Sequence, residues 1–218
     1  LEFILNKNKK IISAPDWLYQ YVLKEKKVIA VSGTHGKTTV TSMIAHAFKE
    51  DGKKNFGHLI AGVPEEIHSW SLGDDEYFVI ESDEYDTAYF DKEPKFFHYR
   101  PYILIVNNIE FDHADIYSSV DEIEKKFINL IMQMEKGSKA YVNVGAVRKS
   151  FEEKIRESAT KCEIEFFNAQ GETISQTNTN LASKVLSNFF EENAILYPPP
   201  SCFTISGKSV PFGSTFWV

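Results

Sequence analysis

Three short apolar runs separated by segments of helical period predict an α/β fold, a mostly parallel sheet flanked by helices. Residues 28–32, 77–81 and 102–106 are apolar and β-branched without alternation, the pattern of strands covered on both faces. Residues 120–134 carry Ile123, Phe127, Leu130, Ile131 and Met134 on one face, the stripe of a helix packed on such a sheet. Strands and helices alternating in this order imply a doubly wound topology.

Along the chain, a basic patch (Lys7, Lys9, Lys10) leads through Ser13-Ala14-Pro15 to a predicted helix over 16–26, with Trp17, Leu18, Tyr21 and Val22 on one face. Pro15 suits the helix start, where a missing N–H costs no hydrogen bond. Strand 28–32 feeds a turn with two glycines, then a helix over 40–49 with Met43, Ile44, Ala47 and Phe48 apolar; Asp51-Gly52 ends it. Residues 57–64, bounded by glycines, read as a loop or short strand. Strand 77–81 runs straight into Ser82-Asp83-Glu84-Tyr85-Asp86, and strand 102–106 into Asn107-Asn108-Ile109-Glu110-Phe111-Asp112-His113. After the helix over 120–134 come a strand at 139–144, a helix at 151–159 and a strand at 163–167. Residues 171–180 read as polar and turn-like. Pro198-Pro199-Pro200 breaks the chain before a last strand and turn beginning at Cys202.

The 218 residues allow one large domain or two small ones. Hydrophobic content of 43% with 25% charged residues is ordinary for a soluble globular protein. A net charge of −7 argues against nucleic acid as a partner. No apolar run approaches the roughly 20 residues that span a bilayer, and no signal-peptide pattern precedes residue 27, so no membrane partner and a cytoplasmic location are expected. Cys162 and Cys202 lie in no metal-like spacing and are expected as two reduced thiols. Apolar residues at both ends suggest a piece of a longer polypeptide.

Chemistry concentrates in Gly33, Thr34, His35, Gly36, Lys37, Thr38 and Thr39. Strand, Gly-rich turn, Lys-Thr and helix together make the layout of a phosphate-binding loop, or P-loop. Its glycines let backbone N–H groups converge on a phosphate, and the helix N-terminus adds partial positive charge. Lys37 has the reach for β- and γ-phosphates, and the Thr38 hydroxyl is placed to ligate Mg²⁺. The usual pattern puts its first glycine at position 31, where this chain has Val31; the bending residue is Gly33. The rival reading is a strand-to-helix turn that binds nothing.

Ligands of open α/β sheets bind beyond the carboxyl ends of the strands. There the second run ends at Glu81, followed by Asp83, Glu84 and Asp86, and the third is followed by Asn107, Asn108, Glu110, Asp112 and His113. Thr38 and Glu81, on neighbouring strand ends, supply the hard oxygens that Mg²⁺ prefers. His113 is a candidate ligand for a second, more weakly held metal. Against this, acidic clusters are usually solvated loops and a lone histidine is usually structural.

These segments together resemble the Mur ligase superfamily. Gly-Thr-His-Gly-Lys-Thr-Thr (33–39) is similar to its variant P-loop, which accounts for Val31, and residues 108–113 resemble its second signature. Within the superfamily, the alanine-adding branch tends to follow the strand glutamate with Ala-Asp-Glu-Ser-Asp. Here the blocks 81–92 and 95–101, with 57–64 and 107–116, look instead like the murein peptide ligase branch. The resemblance is strong from Ser13 to Asn143 and faint afterwards.

It implies a central ATP-binding domain over 13–218, an incomplete α/β unit truncated before its adenine-binding segment. Residues 1–12 would be the tail of an N-terminal UDP-sugar domain, and the C-terminal domain would be absent. It further implies an ATP-dependent ligase of peptidoglycan recycling. That enzyme joins the tripeptide L-Ala-γ-D-Glu-meso-diaminopimelate to UDP-N-acetylmuramate through an acyl phosphate, with ATP and Mg²⁺. Lys37 and His113 would be catalytic, Thr38, Glu81 and His113 would hold metal, and Asn108 would be a nearby polar contact of the nucleotide. His98, Tyr99 and Arg100 are given no role beyond substrate contact. An alanine-adding ligase and a nucleotide-binding fragment without ligase activity remain the alternatives; the fragment alone is expected to be inactive.

Overall fold

The computed structural model describes residues 11–51, 55–64, 67–88, 90–111 and 117–190. Among these residues the strands are β1 (Lys27–Ser32), β2 (Gly57–Leu59), β3 (Trp70–Ser71), β4 (Tyr77–Glu81), β5 (Asp86–Ala88), β6 (Asp91–Pro94), β7 (Ile103–Val106), β8 (Lys139–Asn143) and β9 (Glu163–Phe167). Seven of them form one sheet in the order β3-β2-β4-β1-β7-β8-β9, and β5 and β6 pair as a separate antiparallel hairpin. Every neighbour pair in the large sheet is parallel except β2 with the edge strand β3. β1 therefore lies between β4 and β7. In a parallel sheet this brings three carboxyl ends together, those of residues 32, 81 and 106.

The helices are α1 (Ala14–Leu18), α2 (Lys37–Asp51), α3 (Lys95–Tyr99), α4 (Val120–Gln133), α5 (Lys149–Glu157) and α6 (Ile174–Leu186). Alternate residues of the strands feed two cores, one on each face of the sheet. Val28 and Ala30, with Phe78, Ile80, Leu104 and Val106, pack under α3, α4 and α5. Ile29 and Val31, with Val79, Ile103 and Ile105, pack under α2 and α6. Burying each Val, Ile, Leu or Phe among these contributes about 1.5–3 kcal/mol, and a shift of one residue in any central strand would exchange the two cores. The apolar runs of the sequence are continuous because both faces are covered. No described helix is long and apolar enough to cross a membrane.

Two expectations from the sequence are corrected. The predicted helix over 16–26 is a five-residue α-helix that passes into a π-helical turn, Tyr19–Leu23. Of the predicted apolar face, Leu18 and Val22 pack against the core, whereas Trp17 and Tyr21 are 51% and 68% exposed; the wider turn also buries Leu23. Ser13 caps α1, its hydroxyl accepting from the Asp16 N–H. The polar, turn-like stretch over 171–180 belongs mostly to α6. Thr173 caps α6 by accepting from the Gln176 N–H, and α6 packs on α2. The described thiol, Cys162, is buried against the Ile131 carbonyl, 3.6 Å away. Cys202, the Pro198–200 break and the basic patch at residues 7–10 lie outside the described residues.

Candidate functional site

The turn between β1 and α2 holds Gly33 at φ +140° and Gly36 at φ +80°, conformations that only glycine adopts without strain. A Cβ on Gly33 would sit 2.9 Å from the Asn108 carbonyl oxygen. The segment following β7 grips this turn. The Thr34 N–H donates to the Asn108 carbonyl (3.1 Å), and the His35 N–H donates to Asn108 Oδ1 (2.8 Å). Asn107 and Asn108 both donate from Nδ2 to the His35 carbonyl at 3.0 Å. Thr34 Oγ1 accepts from the Glu110 N–H at 2.9 Å. Thr39 follows in the half-buried first turn of α2. The loop is thus cross-braced from the neighbouring strand end, and its remaining N–H groups and the α2 N-terminus make a concavity suited to an anion.

Lys37 is buried. Its Nζ donates to the Gly33 carbonyl at 2.6 Å and lies 3.5 Å from both Asp83 Oδ1 and Glu84 Oε2, with the Tyr85 ring centroid 5.7 Å away. Lys95 reaches Asp83 from the other side at 3.0 Å. The acidic run after β4 is therefore no solvated loop. Glu84 is 1% exposed, and Tyr117 donates to its backbone carbonyl. The identity of Asp83 and Glu84 was legible in the sequence; their pairing with Lys37 was not, because it depends on the turn that folds the run back over the sheet end.

Thr38, in the first turn of α2, and Glu81, at the end of β4, meet: Thr38 Oγ1 donates to Glu81 Oε2 at 3.0 Å. The other carboxylate oxygen accepts from the Ala61 N–H at 2.8 Å. Burial pushes the Glu81 carboxyl above the ordinary glutamate range, and these two donors pull it back only in part. A desolvated carboxylate touching a hydroxyl beside a phosphate-type loop is a hard-oxygen donor set that fits Mg²⁺. His113 and Asp112 lie outside the described residues. His98 does not face this cluster: its ring lies between Asp16 (2.9 Å) and Asp91 (3.1 Å). Tyr99 is buried, and Arg100 stacks on Tyr19 at 4.6 Å.

Two participants escaped the sequence reading. One is the backbone of Ala61, in a segment legible only as a glycine-bounded loop. The other is Asn178 of α6, whose Oδ1 accepts from Asn107 Nδ2 at 3.3 Å.

Residues 31–200 match the model of the Mur ligase middle domain. A relative from Haemophilus influenzae, UDP-N-acetylmuramate–L-alanyl-γ-D-glutamyl-meso-2,6-diaminoheptandioate ligase, is 49% identical over 132 residues, covering 60% of this chain and 29% of that protein. A UDP-N-acetylmuramate–L-alanine ligase from Dictyoglomus turgidum is 41% identical over 122 residues, covering 56% of this chain and 25% of that one. Among solved structures, the UDP-N-acetylmuramate:L-alanyl-γ-D-glutamyl-meso-diaminopimelate ligase of Neisseria meningitides superposes with a TM-score of 0.75 at 31% identity. That match covers 86% of this chain and 69% of the other. The chain thus spans less than a third of the length of these two curated relatives.

Proposed function

The chain belongs to the Mur ligase family through its middle domain, and from that we propose that it is the ATP-handling part of a ligase joining L-Ala-γ-D-Glu-meso-diaminopimelate to UDP-N-acetylmuramate. Residues 13–218 are assigned to the central ATP-binding domain, working in the cytoplasm on a recycled cell-wall peptide. The observation that carries this reading is the contact of Thr38 with the buried Glu81 carboxylate directly beside Lys37. The tripeptide is preferred over alanine on the strength of the 49% relative. The 41% relative keeps an alanine-adding ligase as the second reading.

In the proposed reaction the lactyl carboxylate of UDP-N-acetylmuramate attacks the γ-phosphorus of ATP, giving an acyl phosphate and ADP. The peptide amine then attacks the acyl carbon, loses its proton, and inorganic phosphate leaves as the amide forms. The loop N–H groups and Lys37 hold the phosphates and stabilise the charge that develops on the transferring group. Lys37 exchanges its carboxylate partners Asp83 and Glu84 for phosphate oxygens as nucleotide enters. Thr38 and Glu81 would hold Mg²⁺, which supplies charge neutralisation to the phosphates. His113 is assigned to a second metal, and Asn108 keeps the loop in its binding shape.

The test is a competition assay on the full-length protein with ATP, Mg²⁺, UDP-N-acetylmuramate and either tripeptide or L-alanine, following the UDP-linked product by mass spectrometry. Preferential incorporation of free L-alanine would reject the tripeptide assignment. ATP binding without either product would leave only the nucleotide-binding module.

A further inference from the structure

We propose that Asn178, acting through Asn107, is a positioning residue that aims the His35–Gly36 peptide of the phosphate loop at the bound anion; this rests on the nucleotide reading above. A trans peptide points its C=O and its N–H in opposite directions. Pinning the His35 carbonyl to the side-chain amides of Asn107 and Asn108, both at 3.0 Å, therefore turns the Gly36 N–H away from the β7 end and into the loop's concavity. Whether Asn107 performs this depends on which way its carboxamide faces. With Nδ2 toward His35 it donates; rotated by half a turn it would set its own oxygen against the carbonyl oxygen.

Asn178 selects the productive orientation. Asn107 is 2% exposed and Asn178 5%, so water has little access to decide the matter. The Asn107 Nδ2 donates one hydrogen to His35 and the other to Asn178 Oδ1 at 3.3 Å. Asn107 Oδ1 finds no hydrogen-bond partner among the described residues, so the donor side alone fixes the carboxamide. The same two amides form the floor under Gly36: a Cβ there would stand 2.7 Å from Asn178 Oδ1 and 2.8 Å from Asn107 Nδ2. The setting on α6 strengthens the point. Residues 178, 181, 182, 185 and 186 are its buried face, and the other four are Leu181, Ala182, Val185 and Leu186. A leucine at 178 would suit that stripe as well or better for packing, so the amide serves the loop and not the helix.

The experiment uses the full-length protein, titrated calorimetrically with a non-hydrolysable ATP analogue and Mg²⁺, alongside nucleotide-free melting curves. Asn178→Leu should leave the protein folded, with its melting temperature lowered only by what one unsatisfied Asn107 N–H costs, and weaken nucleotide binding about tenfold or more. Asn178→Ala, which removes the acceptor without adding bulk, should weaken binding comparably. Lys184→Ala, on the same helix but away from the loop, should leave the affinity unchanged. The double variant Asn107→Ala/Asn178→Leu should bind no more weakly than Asn107→Ala alone, because both act through one contact. Affinity within twofold of wild type for Asn178→Leu or Asn178→Ala, or losses that multiply in the double variant, would overturn this assignment while leaving the nucleotide reading intact. Absence of binding by the wild type would overturn the nucleotide reading first and this role with it.

Discussion

The Lys37 ammonium and the Glu81 carboxylate have opposite electrostatic surroundings, and each yields a prediction. Lys37 stands among two carbonyls, those of Gly33 and Thr34, and two carboxylates. Lys37→Ala removes a cation that lies 3.5 Å from both Asp83 and Glu84, while Lys95 remains on Asp83. Ligation by the full-length protein should fall at least about 100-fold, in line with losing one preorganised charge donor, with the circular-dichroism spectrum unchanged. Retained turnover would remove Lys37 from the phosphate cradle. Glu81 is raised by burial, so its folded-state value lies above its unfolded one. Its contribution to stability is therefore complete below the unfolded value of about 4.5 and is lost as pH rises through the folded value. At pH 7 without metal, Glu81→Gln should accordingly melt higher than wild type, and the gap should close as pH falls toward 4.5. Added Mg²⁺ should raise the wild-type melting point and leave the variant's unmoved.

At the scale of elements, the strands flanking the site were legible because position and composition agree. β1, β4 and β7 are β-branched, buried on both faces and followed at once by polar residues. α6 was hidden for a physical reason: its buried face opens with an asparagine, and its first turns are Ser, Gln, Thr and Asn, which lean toward caps and turns in isolation. The π-helical turn was invisible because one extra residue per turn leaves no signature in an apolar count. The β5–β6 hairpin has short strands and a polar composition, so no period-2 pattern marks it. Asp16 of α1 and Asp91 of β6 hold it in place by bracketing His98 of α3. Through Lys95 and Phe96 the same helix holds the backbone and carboxylate of the acidic run beside Lys37. His98→Ala should cost about 1–3 kcal/mol and open this unit locally. Hydrogen exchange should accelerate at residues 86–94 while β1 keeps its protection. Uniform acceleration across the sheet would show that the hairpin is not a separate cooperative unit.

Across the whole molecule, the proposed site exists only because the sheet order places β4 and β7 on either side of β1. Glu81 and Asn107 are 26 residues apart in sequence, yet Glu81 accepts from Thr38 at the start of α2 and Asn107 donates to the His35 carbonyl of the preceding loop. This juxtaposition was legible in the sequence, because ligands of open α/β sheets meet the carboxyl ends of the strands. Asn178 was not, because its approach depends on α6 packing over α2 on one face of the sheet. A ligand touching the β1–α2 loop, β4 and β7 together joins elements of both cores, so its binding should stabilise the fold as a unit and not the loop alone. Ligand at 100 times its dissociation constant adds about 2.7 kcal/mol to the folded state. A non-hydrolysable ATP analogue with Mg²⁺ should therefore shift the entire unfolding transition upward with its cooperativity kept, and the shift should grow with the logarithm of ligand concentration. Lys37→Ala should show no such shift over the same range. A shift confined to one phase of a broadened transition would mean that the loop and the sheet unfold independently, and that the nucleotide does not span the three strand ends.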